Sequence, residues 1–428
     1  MPRARRNDAR SRIHHLRSGR AFADVSFAMP RFSIVVVLIC CALFTTSCPA
    51  QSTGALPDDL RSFESVHYII HTDLDEALAG EMSHRMDVMW EQYAQRFGDF
   101  APPVDAPKLE AYLFARRADY AHLTGDRFPN TAGIFMPQRR LLAAFLEGQG
   151  RQGIRRTLQH EAFHQFAQAY IGGHLPIWLN EGIAQIFEEG IWTGDTFLLG
   201  QVPPTRIAQL RDQIRSGNIT PFDQFMTRTD EQWASELRFK PLAQAQYNQA
   251  WAMAQFLIFA ADDEGAFKFR DRVLNMLQMI HQGQDGQAAF VAAFSANIAG
   301  FQNMFLNWAQ TLSPTEAAAY NQHQSTLADM LVSLDRQGVS VWDINSLRRC
   351  LETGAYQLQT PSGPVATETF FCDLVGRPLT TSQLCIVPDP ETRLPDLICH
   401  PADQLLIKTR FVRNNDGALD YETTVRAD

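Results

Sequence analysis

Two histidines four residues apart enclose a glutamate in His160-Glu161-Ala162-Phe163-His164, and fourteen residues beyond them stands Trp178-Leu179-Asn180-Glu181-Gly182. Each helical residue advances about 100°, so positions four apart return nearly to one face and both imidazoles point the same way. Such a pair can grip one metal ion. A third ligand from a neighbouring helix, Glu181, would complete a catalytic zinc site that keeps one position open for water, with Glu161 beside that water to take its proton.

The local pattern supplies the helices this requires. Between Arg151 and Tyr170 the apolar Leu158, Ala162, Phe163, Phe166 and Tyr170 share a face, while Thr157, His160, Glu161, His164 and Gln168 gather on the other. The histidines are therefore expected to look into a polar cleft. Gly172-Gly173 marks a helix stop, and Pro176 suits the first turn of a second helix running to about Glu189, before Gly190. A hairpin of this length folds the second helix back across the first, bringing Glu181 to the histidine pair. The pentad alone recurs by chance in many proteins, and the Asn-Glu-Gly downstream is what makes the signal specific.

Together, the pentad and Trp178-Leu179-Asn180-Glu181-Gly182-Ile183-Ala184 resemble the gluzincin zinc metallopeptidases, in particular the peptidase-MA-like family of exported bacterial proteins. The resemblance spans about Glu64 to Leu312, with its specific motifs confined to Thr157 to Phe187. It implies zinc held by His160, His164 and Glu181, Glu161 as general base, and hydrolysis of an amide without a covalent intermediate. Some gluzincins hold a zinc histidine with an acid one turn after the glutamate ligand; here that position is Gln185, a weaker acceptor. Glu188 and Glu189 are other candidates for that support, with ordinary helix-surface acids as the favoured reading. The family's oxyanion donor is assigned to Tyr247, for which a packed helix aromatic is the competing role.

The beginning of the chain speaks to compartment. The apolar run Ile34 to Phe44 is too short to span a membrane, follows basic residues and precedes Thr45-Thr46-Ser47-Cys48, the pattern of a secretory signal. Cys48 resembles the lipid-attachment cysteine of bacterial lipoproteins, although Thr45 departs from the usual Leu, and ordinary signal cleavage is the alternative. Met29-Pro30-Arg31 would open a compact signal, making residues 1–28 an over-extended start. Eight basic and two acidic residues precede Cys48, leaving 30 basic against 45 acidic and a net charge of −15 beyond it. An acidic body disfavours nucleic acid and anionic lipid headgroups as partners, so any membrane attachment would come from acyl chains on Cys48.

The expected fold class is α+β. After a leader (1–47) and a tether (48–60), a catalytic subdomain (61–203) carries strands near Val66–His71 and Leu109–Phe114, a helix near Leu74–Phe97, and a hairpin of Ala132–Met136 with Leu141–Phe145. This small mixed sheet packs on the zinc helix. One of its strands could pair with an extended substrate, with Ala132-Gly133 supplying the small residues for close approach. A mainly helical subdomain (204–336) walls the cleft, and a strand-rich tail (337–428) contains Cys350, Cys372, Cys385 and Cys399. In an oxidising compartment an even number of cysteines predicts two disulfides, the wide spacing arguing against a four-cysteine zinc site.

Three functions fit these residues. They are an extracytoplasmic zinc peptidase acting on a peptide or protein substrate, a zinc hydrolase of a non-peptide acyl bond, and an inactive envelope binding protein that keeps the peptidase fold.

Overall fold

A computed structural model describes residues 60–427 apart from 101, 104, 126–130, 238, 361–362, 393, 403 and 415–416. The leader, Cys48 and nearly all of the tether lie outside the described residues.

Alternating polarity builds the first layer. Strands β1 (Arg61–Glu64) and β2 (Tyr68–Thr72) are followed by α1 (Glu76–Arg96), β3 (Leu109–Phe114), α2 (Arg117–Thr124), β4 (Gly133–Met136) and β5 (Leu141–Phe145). They form one mixed sheet in the order β1-β2-β3-β5-β4, with β2, β3 and β5 parallel and antiparallel strands at both edges. Tyr68, Ile70, Leu109, Ala111 and Leu113 share one core with α1 and with the helix that follows β5. Ile134, Met136, Ala143 and Phe145 pack with Tyr120 and Leu123 of α2 in a smaller cluster. The strands expected in this region are present, joined by the outer strand β1.

The helix after β5 is α3 (Gly150–Phe166), which continues as a π-helical turn over Ala167–Ile171 and ends at Gly172. It has no side-chain cap of its own. Instead, Asp420 from the far end of the chain accepts the Arg151 N–H at 2.9 Å, placing an anion at the positive end of the helix. Helix α4 (Ile177–Glu188) starts after Pro176 and folds back on α3, where the Phe163 and Phe187 rings stack 5.5 Å apart. Helix α3 is buried on its polar side as well as its apolar side, with Arg156 the exposed residue amid the buried run. Periodicity reported polarity here, not exposure.

After the short pair β6 (Ile191–Trp192) and β7 (Phe197–Leu198) the chain is helical: α5 (Pro204–Arg215), α6 (Phe222–Phe225), α7 (Asp230–Glu236), α8 (Lys240–Phe259), α9 (Arg270–His281), α10 (Gly286–Ala293), α11 (Ile298–Thr311) and α12 (Glu316–Arg336). Phe290, Phe294, Phe301 and Phe305, on α10, α11 and the turn between them, belong to the core that also holds α3 and α4. The C-terminal elements are α13 (Ile344–Glu352), β8 (Gln359–Thr360), β9 (Gly363–Pro364), β10 (Leu384–Pro388), β11 (Pro395–Ala402), β12 (Leu405–Arg413) and β13 (Leu419–Ala427), and helix α12 shares its core with α13 and with β10 to β13. Among the described residues no single helix is long and apolar enough to cross a membrane.

The last four strands make an antiparallel sheet in the order β10-β11-β12-β13. The expected disulfides are not formed: Cys350, Cys372, Cys385 and Cys399 are all free. Strand alternation gives the reason for the nearest pair. Cys399 is buried opposite Leu384, whereas Cys385 pairs with Ile398 and therefore points to the other face. An apolar core closes this unit in place of covalent links.

Helix α8 crosses α4 at Gly182, where a methyl group would lie 2.4 Å from the Ala250 carbonyl oxygen and 2.9 Å from the Ala254 Cβ. Backbone cannot yield as a side chain can, so Gly182→Ala is expected to lower stability by about 1–3 kcal/mol. Chemical unfolding of both proteins measures this; equal midpoints would contradict the close crossing.

Candidate metal centre

Helix α3 presents His160, Glu161 and His164, and α4 presents Glu181, all between 0 and 3% exposed. The Nε2 atom of His160 lies 3.3 Å, and that of His164 3.8 Å, from Glu181 Oε2. None of these three buried atoms makes an aligned hydrogen bond. Ligands about 2.0–2.1 Å from a tetrahedral ion sit roughly 3.3 Å apart, so the separations fit a cation held between them. This buried His-His-Glu group, its donor atoms all within 4.8 Å of one another, could hold a metal ion. Two imidazole nitrogens with one carboxylate oxygen are a donor set for a divalent transition metal.

The outer nitrogens of both rings are fixed. His160 Nδ1 is 3.1 Å from Glu188 Oε2, and His164 Nδ1 is 3.0 Å from Asn180 Oδ1. Each contact places an acceptor behind the ring, which orients it and makes Nε2 the better metal donor. Of the candidates for this support, Glu188 takes the role rather than Gln185 or a purely surface position. Gln185 turns away and donates to the Tyr247 carbonyl at 2.9 Å. Glu188, two turns beyond Glu181 on the same face of α4, reaches His160 while Arg156 holds its other oxygen at 3.0 Å. Seven-residue spacing from the ligand was the available signal. Asn180 contributes more than its motif position indicated, and the Asn-Glu-Gly triplet now reads as ring support, ligand and helix crossing.

Glu161 is anchored from the sheet. The Phe135 N–H of edge strand β4 donates to Glu161 Oε2 at 2.8 Å, while Oε1 is buried without a partner. One turn earlier, a methyl on Gly133 would meet Thr157 Cγ2 at 2.5 Å. The small residue thus lets α3 close onto β4. This is a close approach that the fold itself makes at Gly133.

Electrostatics differ among the four groups. In the apo protein burial opposes charge on His160, but the adjacent carboxylates of Glu181 and Glu188 outweigh it and raise its pKa to about 10. Burial, reinforced by His160, drives His164 well below its usual value. Burial also lifts Glu161 to about 8, against the pull of His160.

The other candidates are more ordinary. Tyr247 on α8 is buried, with its ring edge-on to Trp233 at a centroid distance of 5.5 Å. His174 is exposed in the interhelical turn. His67 stacks on Trp90 and His71 on Tyr112, while His281 lies 2.7 Å from the Ile171 carbonyl oxygen.

The fold and donor set define an α+β protein with a buried site suited to a divalent cation. A family described as Protein of unknown function (DUF1570) matches residues 154–272, from within α3 into α9, and the match contains the whole donor set. No curated protein matches the chain.

Two outcomes follow for metal binding. Removing the carboxylate behind His160 by Glu188→Ala should weaken binding about 10- to 100-fold, read by competition with a chromophoric chelator; unchanged affinity would contradict its role. Because His160 is protonated at neutral pH in the apo protein, metal uptake must release that proton. Affinity should rise about tenfold per pH unit between roughly pH 6 and 8, and calorimetry in buffers of different ionisation enthalpy should detect the proton; a flat profile would contradict it.

Proposed function

We propose that this chain is an extracytoplasmic zinc-dependent metallopeptidase of the gluzincin type. The carrying observation is the coincidence of three unpartnered buried donor atoms with a carboxylate, Glu161, that also has a free buried oxygen. His160, His164 and Glu181 would hold zinc. When bound, zinc supplies a Lewis acid that polarises a carbonyl and makes water nucleophilic near neutral pH.

The protein's own groups then divide the proton transfers. Glu161, held by Phe135 N–H through one oxygen, accepts a proton from the attacking water on the other. The carboxyl so protonated can then deliver that proton to the leaving amine. Strand β4, antiparallel to β5 at the sheet edge, lies against these groups and offers the side on which an extended peptide backbone would align. Tyr247 is the proposed donor to the developing oxyanion. The signal-like segment ahead of the tether supports export, and Cys48 would supply a lipid anchor.

Glu161→Gln should retain metal yet lose hydrolysis of a mixed peptide library by at least about a hundredfold. Wild-type activity in that variant would overturn the assignment. Metal-loaded wild type that leaves peptides intact but cleaves model esters would move the function to non-peptide acyl bonds, and inertness toward both would leave a binding protein.

A further inference from the structure

A cavity of about 1500 Å³ separates the metal helices from the C-terminal unit. Small-molecule pockets run to roughly 300–1000 Å³, so this one has room for several linked units of a chain. It approaches the metal site from behind. His160 and Glu188 line it, whereas His164, Glu161 and Glu181 do not.

Most charges in the cavity are spent on one another, although the exposed Lys240 also lines it. Arg156 pairs with Glu188 and Glu189, and Arg206 with Glu189, each at 3.0 Å. An ionic ligand would have to break these pairs. The open groups are amides: Gln209 on α5, Gln244 on α8, and Asn321 and Gln322 on α12 are half-buried and line the cavity. Among the described residues these four side-chain amides have no hydrogen-bond partner within the protein. Thr205 and Thr326, each one turn from a member of this set, add hydroxyls to the same walls.

We propose that this cavity binds an uncharged polyhydroxylated chain of the oligosaccharide class. Three helices direct amides and hydroxyls into it, and a side-chain amide offers donor and acceptor together, matching a sugar hydroxyl. An extended peptide is usually gripped through main-chain hydrogen bonds along a strand edge, whereas helices have already used theirs. Glycan binding does not require the metal. Only its consequence rests on the peptidase reading: a glycan held behind His160 would bring a peptide attached to it toward the metal centre.

Calorimetry on the full chain tests this, using the tetramer of N-acetylglucosamine as probe and an uncharged peptide of glycine, serine and alanine as comparison. The tetramer should bind more tightly than the peptide, with or without added zinc. Gln244→Ala combined with Gln322→Ala should weaken it about tenfold or more. Thr326→Trp, which fills the cavity, should abolish binding, and unchanged melting temperatures would show both variants folded. No heat at millimolar tetramer, equal affinity in the folded double variant, or tighter binding of the peptide would overturn the proposal. Peptide hydrolysis measured separately keeps the two readings apart, since either can fail while the other stands.

Discussion

Three donor atoms from two helices meet in the buried interior, none of them in an aligned hydrogen bond. Leaving a buried polar group unsatisfied costs about 1–3 kcal/mol, and more where charge is involved. A metal ion held between them could satisfy all three atoms at once. The surrounding contacts hold the atoms there. Gly182 lets α8 press α4 into place, Gly133 lets the sheet edge meet α3, and Asp420 caps α3 from the C-terminal sheet.

The C-terminal unit is tied to the metal helix by charge as well as by capping. Glu422 on β13 pairs with Arg85, and Glu81 takes Arg85 at 2.8 Å and the nearly buried Arg155 at 2.6 Å. These groups link α1, α3 and β13 around the N-terminal half of the helix that carries the histidines. Removing one partner from such a cluster strands its neighbours without compensation. The far end of the chain therefore bears on the geometry of residues more than 200 positions earlier.

The site was legible because its signals are local. Helical spacing sufficed to place His160 beside His164, and a short hairpin sufficed to return Glu181 to them. The order of the sheet's neighbours was partly legible: the hairpin of β4 with β5 was, whereas the placement of β5 beside β3 is set by tertiary packing. Support for the rings was half legible: Asn180 sits inside the motif, while the choice among Gln185, Glu188 and Glu189 depends on how α4 packs against α3. Cysteine number misled because pairing depends on which face of a strand each thiol occupies, and Cys385 and Cys399 face opposite ways. Which core α12 serves was not legible either. Helix α12 has the same periodicity whether its apolar side meets the helices before it or the sheet after it, and it meets the sheet.

The central claim is that His160, His164 and Glu181 together hold one divalent cation. Elemental analysis of the purified protein beside His160→Ala and Glu181→Ala, after equilibration with zinc and removal of excess, tests it most directly. One zinc per wild-type chain, lost in both variants with their folds intact, is the predicted result. Zinc retained by Glu181→Ala, or absent from folded wild type, would contradict it.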